Sequence, residues 1–270
     1  MSSKHRGRVL IIAGSDSGGG AGIQADIKTV TALGGYAMTA ITAVTVQNTI
    51  GVSNVHAIPP QIVREQIDVV MGDLGADVWK LGMLGSAAHV RTVLEAWDES
   101  GAGVPVVLDP VMIAKGGASL LAEDAIAVIR EQLVPIAAIV TPNAPEAEAL
   151  TGVDVRGLDG QINAAEVLVE ELGAYAALVK GGHIEGDIVR DVLLTREGYR
   201  VFESARIDTR TTHGTGCTLA SAIATNLALG APIEAAVEKA RGYLMEAIRQ
   251  APGLGQGHGP LKHNWNVTPL

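Results

Sequence analysis

The sequence predicts an α/β fold built on a mostly parallel sheet with helices on both faces. Short β-branched runs alternate with stretches of helical length, which is the pattern of βαβ units. Apolar residues make up 47% of the chain, with much Ala, Val and Gly and a single Phe, which suits strands buried on both faces and helices packed closely on them. The length of 270 residues is enough to bury such a sheet in one domain.

In chain order, RVLIIAG reads as a strand and AGIQADIKTVTALGG as a helix; VWKLGML as a strand and SAAHVRTVLEAWDES as a helix; VPVVLDP as a strand and LLAEDAIAVIREQLV as a helix. AAIVTPN follows as a strand, then PEAEALTG and INAAEVLVEELG as helices, then AALVKGG as a strand. Gly34-Gly35 and Gly173 stand where helices should stop, and Pro145 where one should start. Two stretches break the alternation. YAMTAITAVTVQNT runs on to a short strand, SNVHAI, with no obvious helix between, and IVRDVLLTREGYRVFESARI reads as a hairpin turning at Arg196-Glu197-Gly198. Antiparallel additions to the sheet are therefore expected. Helices over 215–229 and 232–250 close the chain before a Gly- and Pro-rich tail. With no internal repeat, low-complexity block or linker, one domain over 1–270 is expected, residues 1–7 and about 252–270 being flexible or peripheral termini.

The net charge of -9 argues against nucleic acid or an anionic membrane as main partner. Any anionic ligand must be met locally. The one cysteine, Cys217, excludes an internal disulfide, and a free thiol suits a reducing compartment. VLIIAG, after the basic MSSKHRGR, is too short for a signal-peptide core or a membrane span. The expectation is a cytoplasmic protein.

In an open parallel sheet ligands bind beyond the carboxyl ends of the strands. That rule collects GSDSGGGAG, GML, DPVM, TPNAPE, KGGH and THGTGC along one edge. GSDSGGGAGIQAD satisfies G-x-G-x-x-A at Gly20, Gly22 and Ala25, but too far after the strand, and Ala40 stands where a dinucleotide site needs an acidic residue; no Gly-Lys-Ser/Thr follows for a Walker A loop. Even so, four glycines in five residues exceed what a plain strand-to-helix turn needs.

THGTGC is the better anion site. Gly214 and Gly216 let successive N–H groups converge at a helix N-terminus, where partial positive charge favours phosphate. The same field is expected to lower the Cys217 thiol pKa and make it a base or nucleophile; an inert buried cysteine is the plain alternative. A Cys217–His213 hydrolase pair fits poorly, since both lie in one loop with no separate oxyanion donor or orienting Asn or Asp. His56, His89 and His183 show no metal-ligand spacing and read as solvent-facing or satisfied core residues, and His258 and His263 in the tail carry no assigned role.

Asp109 ends an apolar strand before Pro110, and Glu146 follows Pro142-Asn143 at another strand end. Two separated carboxylates at an anion site suit Mg²⁺ held partly through water, with helix capping as the alternative for Asp109. Lys180 precedes Gly181-Gly182 and sets an ammonium where it can clamp a phosphoryl group, or simply snorkels from a strand end. Together these are the parts of phosphoryl transfer to a small molecule.

The motifs AGSDSGGGAGIQADIKT, TAVTVQNT, KLGML, VLDPVM, TPNAPEA, VKGGH and THGTGCTLASAIA, in this order over nearly the whole chain, resemble the ribokinase-like superfamily, and within it the hydroxymethylpyrimidine/phosphomethylpyrimidine kinases of thiamine biosynthesis. The resemblance implies a ribokinase-like three-layer α/β/α sandwich, ATP and Mg²⁺ as cofactors, and a homodimer. It implies phosphorylation of 4-amino-5-hydroxymethyl-2-methylpyrimidine (HMP) to HMP phosphate and then to HMP diphosphate. Gln47 should bond the aminopyrimidine edge, an amide having both donor and acceptor for it, with Gly14, Ala21, Asp26, Met83, Val111 and His213 around the substrate. Asp109 and Glu146 map onto the metal, Asn143, Thr212 and Thr215 onto the nucleotide, Lys180 onto the phosphate clamp, and Gly214, Gly216 and Cys217 onto the catalytic loop. The superfamily carries Gly-x-Gly-Asp here, the Asp serving as base, and Cys217 in its place points to the pyrimidine branch. A pyridoxal or pyridoxine kinase of the same subfamily is the alternative. An NAD-binding oxidoreductase and a non-catalytic nucleotide-binding regulator are more remote, the first opposed by Ala40 and the second by the Lys, Asp and Cys set.

Overall fold

The structure, a computed structural model, describes residues 7–112 and 123–267. Most of the expected N-terminal segment, the start of LLAEDAIAVIREQLV and the last three residues of the tail lie outside the described residues.

The expected strands become β1 (Arg8–Asp16), β2 (Tyr36–Gln47), β3 (Val52–Ala57), β4 (Val78–Leu81), β5 (Val106–Leu108), β6 (Ala137–Val140), β7 (Ala177–Val179), β8 (Ile188–Thr195) and β9 (Gly198–Ala205). They form one sheet in the order β3-β2-β1-β4-β5-β6-β7-β8-β9. The pairs from β2 through β1 and β4 to β7 are parallel. Both anticipated antiparallel additions are present, β3 on β2 at one edge and the β8–β9 hairpin, closed by Thr195 opposite Gly198, at the other.

Alternation along each strand divides the core. From β1, Leu10 and Ile12 enter one apolar cluster and Val9, Ile11 and Ala13 the other, all of them buried. The first cluster is closed by α2 (Pro60–Asp73), α3 (Ala87–Ala96), α4 (Glu123–Val128), α5 (Ala144–Thr151) and α6 (Leu158–Glu166). The second is closed by α1 (Gly22–Ala32), α7 (Thr215–Ala228) and α8 (Ile233–Arg249). The result is the expected three-layer α/β/α sandwich.

One helix went unread in the sequence. α2 begins on Pro60, which supplies a preset φ at the first helical position, and buries Val63 and Ile67 a turn apart. Elsewhere the stop signals hold, since Gly34 and Gly173 both adopt positive φ just past their helices. In the tail, His258 N–H donates to the Thr49 carbonyl at 2.8 Å and Lys262 N–H to the Ala247 carbonyl at 3.1 Å, while Leu261 and His263 are buried. Among the described residues no helix is long and apolar enough to cross a membrane.

Candidate active site

A cavity of about 700 Å³ opens at the carboxyl ends of the parallel strands. Each segment collected by the strand-end rule contributes to its wall, among them Gly14, Met83, Asp109, Glu146, Lys180 and Cys217.

The two glycine-rich loops meet over this cavity. A Cβ on Gly214, which has φ +83°, would lie 1.9 Å from the Gly20 carbonyl oxygen, so no side chain fits where the loops touch. Asp16, at the end of β1, organises the first loop. Its Oδ1 accepts from Gly18 N–H at 2.8 Å, and its Oδ2 accepts from Gly20 N–H at 3.0 Å and Ala21 N–H at 2.8 Å. These donors are the ones a dinucleotide phosphate would need, and an internal carboxylate already holds them. His213 Nε2 from the second loop lies 2.8 Å from the same Oδ2. Burial would raise the Asp16 carboxyl, but His213 and the backbone N–H groups outweigh it and hold its pKa below the ordinary value.

The second loop starts α7, with Gly214 as its N-cap. Against it sits a charged pair, Lys180 Nζ donating to Asp109 Oδ1 at 3.0 Å. A Cβ on Gly216 would come 3.3 Å from Nζ and 3.5 Å from Asp109 Oδ2. Among the described residues Asp109 caps no helix. Its Oδ2 is buried with no hydrogen-bond partner among the described residues, so that oxygen is open to a ligand. Burial would lower the Lys180 pKa, yet Asp109 and Glu146 raise it and keep the ammonium charged.

Capping falls to Asn143 and Glu146 instead. Asn143 Oδ1 accepts from Glu146 N–H at 3.0 Å and Glu146 Oε2 accepts from Asn143 N–H at 2.8 Å, a capping box that starts α5 with Pro145 in its first turn. The Met112 backbone N–H also bonds the Glu146 carboxylate, which lines the cavity with Asn143. Burial, and then the charge of Asp109, push the Glu146 carboxyl up to about 7 against the pull of Lys180. A divalent cation beside Asp109 and Glu146 would relieve that excess of negative charge, so these residues fit Mg²⁺.

Cys217 departs from expectation. The helix N-terminus was expected to lower its pKa, but burial pushes the thiol up to about 12, with Asp26 and Asp109 adding to the rise and Lys80 opposing it. Desolvation outweighs the helix field here.

Asp26 also departs. It is fully buried and does not line the cavity, its Oδ2 accepting from Lys80 Nζ at 3.0 Å and its Oδ1 from Ser221 Oγ at 2.6 Å. This pair ties α1 and β4 to α7 one turn beyond Cys217. Gly14, Ala21, Gln47, Met83, Val111, Thr212, His213 and Thr215 do line the cavity, as do Asn143, Gly214 and Gly216. Sequence reasoning missed Asp16 and Lys80. Asp16 was legible as an Asp opening a glycine run, where its carboxylate can accept from the turn behind it; Lys80 was legible as a lone lysine inside the apolar VWKLGML. His89, read as core or solvent, is a satisfied core histidine, bonded to Ser86 Oγ and the Ile58 carbonyl.

The phosphomethylpyrimidine kinase family model matches residues 16–262. The chain is 51% identical over 259 residues to the thiamine biosynthesis bifunctional protein ThiED of Geobacter sulfurreducens, an alignment covering 96% of this chain and 52% of that protein, so the chain spans about half the length of that relative. It is 47% identical over 257 residues to the hydroxymethylpyrimidine/phosphomethylpyrimidine kinase of Bacillus subtilis, with 95% and 94% covered. Among solved structures, an ADP complex of Bacillus subtilis pyridoxal kinase superposes with a TM-score of 0.87 at 37% identity, covering 94% of this chain and 96% of that one. The phosphomethylpyrimidine kinase of Clostridium difficile 630 superposes with a TM-score of 0.79 at 40% identity, covering 89% and 98%.

Proposed function

This chain belongs to the phosphomethylpyrimidine kinase family, and on that premise we propose that it transfers phosphoryl groups from ATP to HMP and then to HMP phosphate, in thiamine biosynthesis. One observation carries the reading: the Lys180–Asp109 pair sits against Gly216 at the start of α7, in the cavity that Gln47 also lines.

Gln47 and the apolar Met83 and Val111 bind and orient the pyrimidine, whose hydroxymethyl group then faces the α7 N-terminus. Lys180 and the N–H groups at Gly214 and Gly216 hold the transferring phosphoryl group, where fixed donors stabilise charge without reorganising. Asn143, Thr212 and Thr215 contact the nucleotide. Asp109, through its free Oδ2, and Glu146 would hold Mg²⁺ partly through water, and the ion supplies neutralisation of phosphate charge. Cys217 is protonated at neutral pH. It serves as a neighbour of the alcohol that excludes water, and the alcohol proton departs late, to an oxygen of the transferred phosphoryl group, as a loose transition state permits. A direct test incubates the purified protein with ATP, Mg²⁺ and HMP and follows monophosphate and diphosphate by mass spectrometry. Absence of both products would overturn the reading.

The likeness to pyridoxal kinases favours one second reading, in which a B6 vitamer occupies the same pocket. Comparing kcat/KM for HMP and pyridoxal separates the two. Exposed Val44 and Val46 on β2 and Val55 on the edge strand β3 support a homodimer formed through this edge, and light scattering tests it. A requirement for ATP and a free thiol support a cytoplasmic site of action.

A further inference from the structure

Gln47 stands between two hydrogen-bonding groups. Its Oε1 lies 3.0 Å from Thr45 Oγ1 and its Nε2 3.4 Å from His213 Nε2. The two ends of a primary amide are nearly isosteric, so the available protons decide which way it points. Asp16 is ionised at neutral pH, and its Oδ2 lies 2.8 Å from His213 Nε2; that nitrogen must carry a proton, because two lone pairs would repel. Its one proton points at Asp16, and the nitrogen offers no lone pair for an amide N–H to bond. At the other end, the single proton of the Thr45 hydroxyl is in reach of the Ser15 carbonyl at 2.9 Å and of Gln47 Oε1 at 3.0 Å, and giving it to Ser15 satisfies an acceptor that cannot turn away. Thr45 Oγ1 is left to accept. Both neighbours therefore favour the amide with its nitrogen toward Thr45 and its oxygen toward His213.

We infer that Asp16, acting through His213, and Thr45 are positioning residues that lock the Gln47 amide in this one orientation and thereby make the site reject a pyrimidine edge with donor and acceptor exchanged. A freely rotating glutamine serves both a 4-amino edge, which presents ring-nitrogen acceptor and amino donor, and a 4-oxo edge, which presents the reverse. A locked one serves a single edge. Its partners do not move for the wrong substrate, because Asp16 is also fixed by Gly18, Gly20 and Ala21. The inference rests on the reading of Gln47 as the group that meets the pyrimidine.

The test is the ratio of kcat/KM for HMP over its 4-oxo analogue, measured on the same preparation so that the active fraction cancels. The wild-type ratio should exceed about 10², since an edge that leaves buried polar groups unpaired is strongly rejected. His213→Phe keeps a ring but removes the donor, and Thr45→Val keeps the shape but removes the acceptor. In each, the ratio should fall at least about tenfold, whereas a role confined to packing would depress both substrates alike and preserve it. A ratio that falls in Gln47→Leu yet holds in both other variants overturns the inference alone. A ratio untouched by Gln47→Leu, or a wild-type ratio near one, overturns the reading of Gln47 and the inference with it.

Discussion

Lys180 Nζ lies 3.0 Å from Asp109 Oδ1, while Oδ2 of the same carboxylate is buried with no hydrogen-bond partner among the described residues. An ion pair formed only for stability would satisfy both oxygens. The open one suits the cation proposed for this site.

Asp109→Asn removes the charge that partners Lys180 and weakens the oxygen suited to a hard cation. The expected result is a fall in kcat of about 10²–10³-fold with little change in the HMP KM. Steady-state kinetics across a Mg²⁺ titration checks this. Unchanged turnover and unchanged Mg²⁺ dependence would remove Asp109 from the phosphate side of the cavity.

A Cys217 thiol pushed up to about 12 should alkylate slowly. With iodoacetamide at neutral pH the expected rate is roughly 10³-fold below that of an unperturbed thiol, because only the thiolate reacts. The pH profile should show no inflection below about pH 10. An inflection near pH 7 would restore the thiolate base.

That residue also shows where a linear reading runs out. Glycines before a helix are visible in a string of letters, and so was the favourable helix field at Cys217. The desolvation of the thiol, and the Lys80, Asp26 and Asp109 charges around it, are not. Asp26 was misplaced for a related reason, since nothing in IQADIK tells that its carboxylate turns inward to Lys80, 54 positions away. By contrast the mostly parallel sheet and both antiparallel additions follow from period and punctuation, which are local. α2 is harder to see because only Val63 and Ile67 of its fourteen residues are buried, which leaves a weak apolar stripe behind its Pro59-Pro60 start.

The Asp26–Lys80 pair predicts a stability signature. Both groups are fully buried, so Asp26→Ala strands an ammonium and should cost about 3–5 kcal/mol. The double change Asp26→Leu with Lys80→Met removes both charges and should recover most of that loss. Urea denaturation of the three proteins measures it. A double variant no more stable than Asp26→Ala would contradict the assignment.

His263 predicts a pH window. Burial, and then Lys28, lower its pKa to about 4 from an ordinary value of 6.5. The unfolded chain thus binds a proton that the folded one refuses, and the contribution of His263 to stability should fall as pH drops from about 6.5 toward 4, by up to roughly 3 kcal/mol, against the opposite trend of Glu146. His263→Gln should flatten that limb. Asp16, whose lowered pKa places its own loss of stability below its ordinary carboxylate value, acts at lower pH. Denaturation midpoints from pH 4 to 8 for both proteins decide, and parallel curves would contradict the assignment.

The central claim is tested most directly by product analysis with ATP, Mg²⁺ and HMP, with pyridoxal run in parallel. HMP phosphate should appear first and HMP diphosphate after it, at a kcat/KM for HMP above that for pyridoxal. Pyridoxal phosphate as the favoured product, or no phosphorylated pyrimidine at all, would contradict it.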